Sequence, residues 1–205
     1  MTHALVVMAK APEPGQAKTR LIPALGENGA AQLAARLLSH TVHSCITTKV
    51  YDFIEICATP DFDHPQFQQL AKLYGSRLKW STQQGTDLGA RMCNVFARLL
   101  HAHQSVVLIG TDAPALTAHL LESIMTNWRH EDAVFVPALD GGYALIGLRR
   151  LHKNLFEKIP WSTDAVMDLT RQRLRETNAL ALEFAPVPDI DEPADLKHLP
   201  TGWLA

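Results

Sequence analysis

Apolar residues along the chain fall into two kinds of segment, short unbroken runs and longer stretches with helical spacing, and the two alternate. Ala4-Leu5-Val6-Val7-Met8, Phe53 to Ala58, Leu78 to Ser81 and Ser105 to Gly110 read as strands. The last of these is almost wholly apolar, as expected of a central strand covered on both faces. Between them, Leu33, Leu37, Leu38, Val42, Cys45 and Ile46 share one face of a helix from about Gly29 to Thr48, with Pro23 and Gly26 postponing its start. A helix is expected around Phe67 to Tyr74. Leu88, Met92, Val95, Phe96, Leu99 and Leu100 make the clearest amphipathic helix of the chain. Thr117 is a suitable N-cap for a helix reaching about Trp128. Strands at Ala133 to Ala138 and Tyr143 to Leu148 flank Asp140-Gly141-Gly142; a helix capped by Ser162 or Thr163 follows to about Asn178, then an extended stretch from Leu180 to Pro186 and a last short helix after Asp189.

Strands separated by helices predict a three-layer α/β sandwich with a mainly parallel sheet, mixed near Asp140 where two strands follow directly. The chain has 205 residues, 47% apolar and 20% charged, without repeat, low-complexity tract or linker, which suits one domain over residues 1–205. Cys45, Cys57 and Cys93 sit in apolar segments, as reduced core thiols of a cytoplasmic protein do. A formal charge of −2 gives no general attraction to nucleic acid, and the apolar start is too short for a signal sequence or membrane insertion.

Chemistry is carried by turns. In an open α/β sheet the carboxyl ends of parallel strands share one edge, where ligands bind. Five turns fall at such positions: Lys10 to Arg20, Gln84 to Gly89, Thr111 to Pro114, Asp140 to Gly142 and Asp189 to Asp195. The first, Met-Ala-Lys-Ala-Pro-Glu-Pro-Gly-Gln-Ala-Lys-Thr-Arg-Leu from Met8, gathers Lys10, Lys18 and Arg20 with Thr19 as an added donor and Gly15 at the bend. Such a cluster needs an anion or water. It is not a P-loop, since Pro12 and Ala17 stand where that pattern has glycines. There is no G-x-G-x-x-G after the first strand and no G-x-S-x-G. His101 and His103, two apart, do not share a helix face and read as surface residues.

Asp112, directly after an apolar strand, is either a helix cap or a ligand to a metal or hydroxyl. Asp191, with Asp189 and Asp195 beside it, poses the same choice, and Asp189 and Asp191 are both candidates for a second metal carboxylate. Two carboxylates facing a basic loop suit Mg²⁺ or Mn²⁺ with polyphosphate. Asp140-Gly141-Gly142 is a hairpin turn or a place where the backbone approaches an acceptor.

The combination Lys-x-Pro-x-x-Gly-x-x-Lys-Thr-Arg-Leu (Lys10 to Leu21), Gln-Gly-x-Asp-Leu-Gly-x-Arg-Met (Gln84 to Met92), Gly-Thr-Asp-x-Pro (Gly110 to Pro114), Asp-Gly-Gly-Tyr (Asp140 to Tyr143) and Asp-Ile-Asp-x-Pro-x-Asp-Leu (Asp189 to Leu196) resembles a bacterial glycosyltransferase-like family. That family lies in the nucleotide-diphospho-sugar transferase superfamily, of glycosyltransferase-A fold, and is distantly similar to 2-phospho-L-lactate guanylyltransferase and molybdenum-cofactor nucleotidyltransferases. The resemblance implies a transferase in which Lys18 and Arg20 contact nucleotide phosphates, Gln84 and Gly85 lie near the base, and Asp112 and Asp191 hold the metal.

With the residue pattern, the expectation is a Mg²⁺- or Mn²⁺-dependent nucleotidyltransferase acting from a nucleoside triphosphate onto a small phosphorylated acceptor. Its catalytic residues are Lys18, Arg20 and Asp112. Lys10, Gly15, Lys18, Thr19, Arg20, Gln84 and Gly85 would bind nucleotide; Asp140, Gly141 and Gly142 would bind the acceptor. A glycosyltransferase using a nucleotide-sugar, and a non-catalytic nucleotide-binding protein, are the alternatives. Base, acceptor and oligomeric state are not specified.

Overall fold

In the computed structural model, which describes residues 2–203, one seven-stranded sheet runs through the molecule. Its strands are β1 (His3–Lys10), β2 (Phe53–Thr59), β3 (Lys79–Thr82), β4 (Ser105–Ile109), β5 (Ala133–Pro137), β6 (Tyr143–Leu148) and β7 (Ala181–Glu183), in the order β3-β2-β1-β4-β6-β5-β7. β1, β2, β3 and β4 are mutually parallel, and β5 pairs in parallel with β7. β6 runs against both its neighbours, β4 and β5. The sheet is therefore mixed where the sequence placed two strands in succession, and it is the α/β fold expected. Helices α1 (Ile22–Thr47), α2 (Pro65–Tyr74), α3 (Leu88–Leu99), α4 (Ala118–Asn127) and α5 (Val166–Glu176) cover its faces.

Because successive side chains of a strand point to opposite faces, β1 and β4 feed two cores at once. Leu5, Val7, Val107 and Ile109 pack toward the α1 and α4 side; Ala4, Val6, Val106 and Leu108 pack against Met92, Val95 and Phe96 of α3. A third cluster, Leu21, Leu33, Leu37 and Ile190, ties the loop after β1 and the chain after β7 to α1. The C-terminal segment is held there too, by Trp203 over the Arg36 guanidinium at 4.9 Å and edge-on to His40.

Two helix boundaries differ from expectation. α1 begins at Ile22, with Pro23 in the first turn, where its missing N–H leaves no bond unmade. Gly26 then interrupts it with φ 69°, a left-handed conformation suited to glycine. The α5 helix starts only at Val166: Ser162 has φ 65°, and the Thr163 hydroxyl donates to Pro160 O (2.7 Å), so neither caps it.

Candidate functional site

The loop after β1 is anchored at both ends of its cationic part. Ala17 and Leu21 are buried, and Ala17 N–H donates to Glu13 O (2.9 Å). Between these anchors Lys18 takes a left-handed conformation, φ 49° and ψ 46°, which costs a non-glycine residue about 1 kcal/mol. That conformation sends its side chain inward. The ammonium donates to Asp112 Oδ1 at 2.6 Å and to Ile190 O, and lies 3.7 Å from Asp191 Oδ1. The Lys18 side chain is only 7% exposed, whereas those of Asp112 and Asp191 are 49% and 41% exposed.

Asp112 stands three residues beyond the end of β4. Its carbonyl accepts from Ile190 N–H (2.8 Å), which stitches the turn after β4 to the chain after β7. It is not the cap of α4. Thr117 takes that role, accepting from Leu120 N–H at 3.3 Å, and so the Asp112 carboxylate is left to Lys18, the adjacent Thr111 hydroxyl (3.3 Å) and the cavity. Asp195 is accounted for structurally by accepting the backbone N–H of Asp191 (3.1 Å) and Glu192 (2.7 Å). Asp191 is thereby presented outward, and its Oδ2 receives Arg20 at 2.7 Å.

Asp112, Asp140, Asp189 and Asp191 line one cavity of about 400 Å³, with Arg20 also at its wall. Burial, then the charges of Asp140, Asp195 and Asp112, push the Asp189 carboxyl up to about 6. A donor set of half-exposed carboxylates at one end of the cavity fits a hard divalent cation that keeps water and takes further oxygens from phosphate. Among the described residues no three His, Cys, Asp or Glu side chains gather as a complete cage.

Away from the carboxylates the cavity is apolar. Met8, Met92 and Tyr143 form part of its floor, with Trp161, Ser162 and Thr163 at its wall. The Tyr143 hydroxyl has a weak partner, Met92 Sδ at 3.9 Å. Two glycines let that wall approach. A Cβ on Gly89 would lie 2.4 Å from Phe156 O and 2.7 Å from the Trp161 indole nitrogen, and one on Gly141 would lie 2.3 Å from Asp164 O. Gly141 O also accepts from Met167 N–H at 2.8 Å.

Of the residues singled out in the sequence, Arg20, Asp112, Asp140, Gly142, Asp189 and Asp191 line the cavity. Gly141 supports it from behind, and Lys18 lies beneath the carboxylates. Asp140 also closes its own turn, accepting from Gly142 N–H at 2.8 Å. Lys10 is spent within the loop on Gln16 O (2.9 Å). Gly15, with φ 74°, makes the bend and Thr19 opens a short 3-10 turn. Gln84 and Gly85 fold back on α3, their carbonyls accepting from Asn94 (2.8 Å) and Arg91 (3.3 Å). None of these five lines the cavity. Leu88, the first residue of the α3 apolar stripe, is exposed and does line it. As site residues Trp161, Ser162 and Thr163 were missed: the sequence offered Ser162 and Thr163 only as helix caps, since they follow no strand and carry no charge, and Trp161 beside Pro160 was the available signal.

The fold is the transferase-type α/β fold of the nucleotide-diphospho-sugar transferase superfamily. The "putative nucleotide-diphospho-sugar transferase" of Desulfovibrio desulfuricans superposes with a TM-score of 0.85 at 30% identity, over 96% of this chain and 85% of that one. The chain belongs to the bacterial family described as "uncharacterized protein conserved in bacteria (DUF2064)", whose model matches residues 41–163. The fold is shared with 4-diphosphocytidyl-2C-methyl-D-erythritol synthase of Anaerococcus prevotii (TM-score 0.64, 12% identity, 96% of this chain and 95% of that one). The inositol-1-phosphate CTP transferase of T. maritima shares it too (0.56, 14%, 100% and 94%). No curated protein matches the sequence. No helix among the described residues is long and apolar enough to cross a membrane.

Proposed function

We propose that the protein is a divalent-metal-dependent nucleotidyltransferase that moves a nucleoside monophosphate from a nucleoside triphosphate to a small phosphorylated acceptor. The observation that carries this reading is the pairing of Asp112, in the turn after β4, and Asp191, in the chain after β7, on one enclosed ammonium, with both carboxylates lining a cavity that also holds Arg20. The diphosphocytidyl-methylerythritol synthase and the inositol-1-phosphate CTP transferase that share the fold support it.

Asp112 and Asp191 would hold the cation, which when bound neutralises phosphate charge and polarises the α-phosphate. An acceptor phosphate oxygen attacks the α-phosphorus in line, the bond to the β-bridging oxygen breaks, and pyrophosphate leaves with the electron pair. The attacking group is already an anion, so no general base is required and positioning supplies much of the rate. Arg20 donates to the departing pyrophosphate, stabilising charge as it grows. The Asp140 turn and the Trp161 wall hold the acceptor.

A second reading is supported by the 30% identical relative described as a nucleotide-diphospho-sugar transferase: transfer of a sugar from a nucleotide-diphospho-sugar at the same carboxylates. The leaving group separates the two. With Mg²⁺ and a set of sugar and polyol phosphates, nucleotidyl transfer releases pyrophosphate from one of ATP, CTP, GTP or UTP. Release of a nucleoside diphosphate from nucleotide-sugars, with no pyrophosphate from any triphosphate, overturns it in favour of glycosyl transfer.

A further inference from the structure

Lys18 is expected from its sequence position to grip phosphate, yet its ammonium is the most enclosed charge at the site. It is surrounded by protein oxygens, donating to Asp112 Oδ1 at 2.6 Å and to Ile190 O with Asp191 Oδ1 at 3.7 Å, and its side chain does not line the cavity. The carboxylates it pairs are the reverse, half-exposed and lining that cavity. A single ammonium shared between two carboxylates leaves one charge uncompensated, and Arg20 on Asp191 Oδ2 covers it only at the rim. The left-handed backbone of Lys18 holds the side chain in this inward pose.

We infer that Lys18 is an exchangeable internal counter-ion: it occupies the carboxylate pair of Asp112 and Asp191 until a divalent cation takes them, and the freed ammonium then turns into the cavity as a phosphate ligand. This rests on the reading of Asp112 and Asp191 as the metal carboxylates. The exchange orders binding. Without a divalent cation the site presents four aspartates and one exposed arginine to a polyanion; after the exchange, it presents two side-chain cations and the metal. Lys18 therefore makes triphosphate binding conditional on the metal and weakens binding of the metal alone, since the incoming cation must break an enclosed ion pair.

The test uses Mn²⁺ alone, without nucleotide. Lys18→Met should bind Mn²⁺ at least about tenfold more tightly than the wild type by calorimetry or by the loss of free-Mn²⁺ paramagnetic signal, because the competitor is gone. Lys10→Met, whose ammonium serves the loop backbone, should match the wild type. A second measurement needs no variant: acetylation of Lys18 in the wild type, followed by mass spectrometry, should rise on adding Mn²⁺ while that of Lys10 stays constant. Equal or weaker Mn²⁺ binding by Lys18→Met, or Lys18 acetylation that is unchanged or lower with Mn²⁺, overturns the exchange while leaving the carboxylates as metal ligands. Absence of Mn²⁺ binding in both proteins overturns the exchange together with the reading on which it rests.

Discussion

Two cation–carboxylate clusters in this molecule are built from the same groups with opposite burial. On β2, Glu55 is 3% exposed and is gripped by Arg98 of α3 through both terminal guanidinium nitrogens (3.0 and 2.5 Å), with the Ser81 hydroxyl donating at 2.7 Å. There the carboxylate is enclosed and the cation reaches in from the surface. At the strand-end edge the cation, Lys18, is enclosed and the carboxylates, Asp112 and Asp191, face a cavity. The first arrangement is a bidentate lock between strand and helix, satisfied and with nothing left to offer a ligand. The second has its acceptors exposed and its donor monodentate, so a stronger cation can reach them. Burial of one partner rather than the other separates a structural ion pair from a site.

Four substitutions probe that contrast. Arg98→Ala should cost the most, about 3–5 kcal/mol of unfolding free energy, because it leaves Glu55 charged and unpaired inside the protein; urea denaturation measures it, and a loss under about 1 kcal/mol would remove the distinction between lock and site. Asp112→Asn should lower turnover by about 10²-fold or more, with the urea midpoint nearly unchanged, since its carboxylate is half-exposed. Gly141→Ala should destabilise by about 1–3 kcal/mol, for its φ is 92° and the new Cβ would fall 2.3 Å from Asp164 O. It should also raise the acceptor KM by loosening the Trp161 wall; an unchanged KM would detach that wall from acceptor binding. The smallest stability effect is expected for Lys18→Met, within about 1 kcal/mol, because water can take over the half-exposed carboxylates. A loss as large as that of Arg98→Ala would make Lys18 a second lock.

Runs such as Val106-Val107-Leu108-Ile109 were legible as central strands because burial on both faces removes polar residues altogether. The alternation of strand and helix then put the turns after β1, β4, β5 and β7 on one edge, so Arg20, Asp112, Asp140 and Asp191 could be grouped from the sequence. What could not be read there was conformation. The left-handed backbone of Lys18, which turns a charged loop residue inward, has no signature in residue type, and neither does the positive φ of Ser162 that delays α5. The aromatic wall was hidden for a different reason. It is assembled by absence of side chains at Gly89 and Gly141, which the sequence read as the end of a turn and as a hairpin turn or an approach to an acceptor, and neither reading pointed to Trp161. Polar residues after apolar strands reveal where charge gathers; close backbone approach, which shapes the cavity, leaves only a glycine behind.

The central claim, a metal-assisted triphosphate site on Asp112 and Asp191, is tested most directly by thermal denaturation of the wild type and Asp112→Asn with ATP, CTP, GTP, UTP and nucleotide-sugars, each with and without Mg²⁺. Binding to the folded state alone raises stability by about 2.7 kcal/mol at a hundred times Kd. The account predicts that at least one triphosphate raises the wild-type midpoint only when Mg²⁺ is present, and that Asp112→Asn loses this shift. Stabilisation by nucleotide-sugars alone, with every triphosphate inert, or an undiminished Mg²⁺-dependent shift in Asp112→Asn, would contradict it.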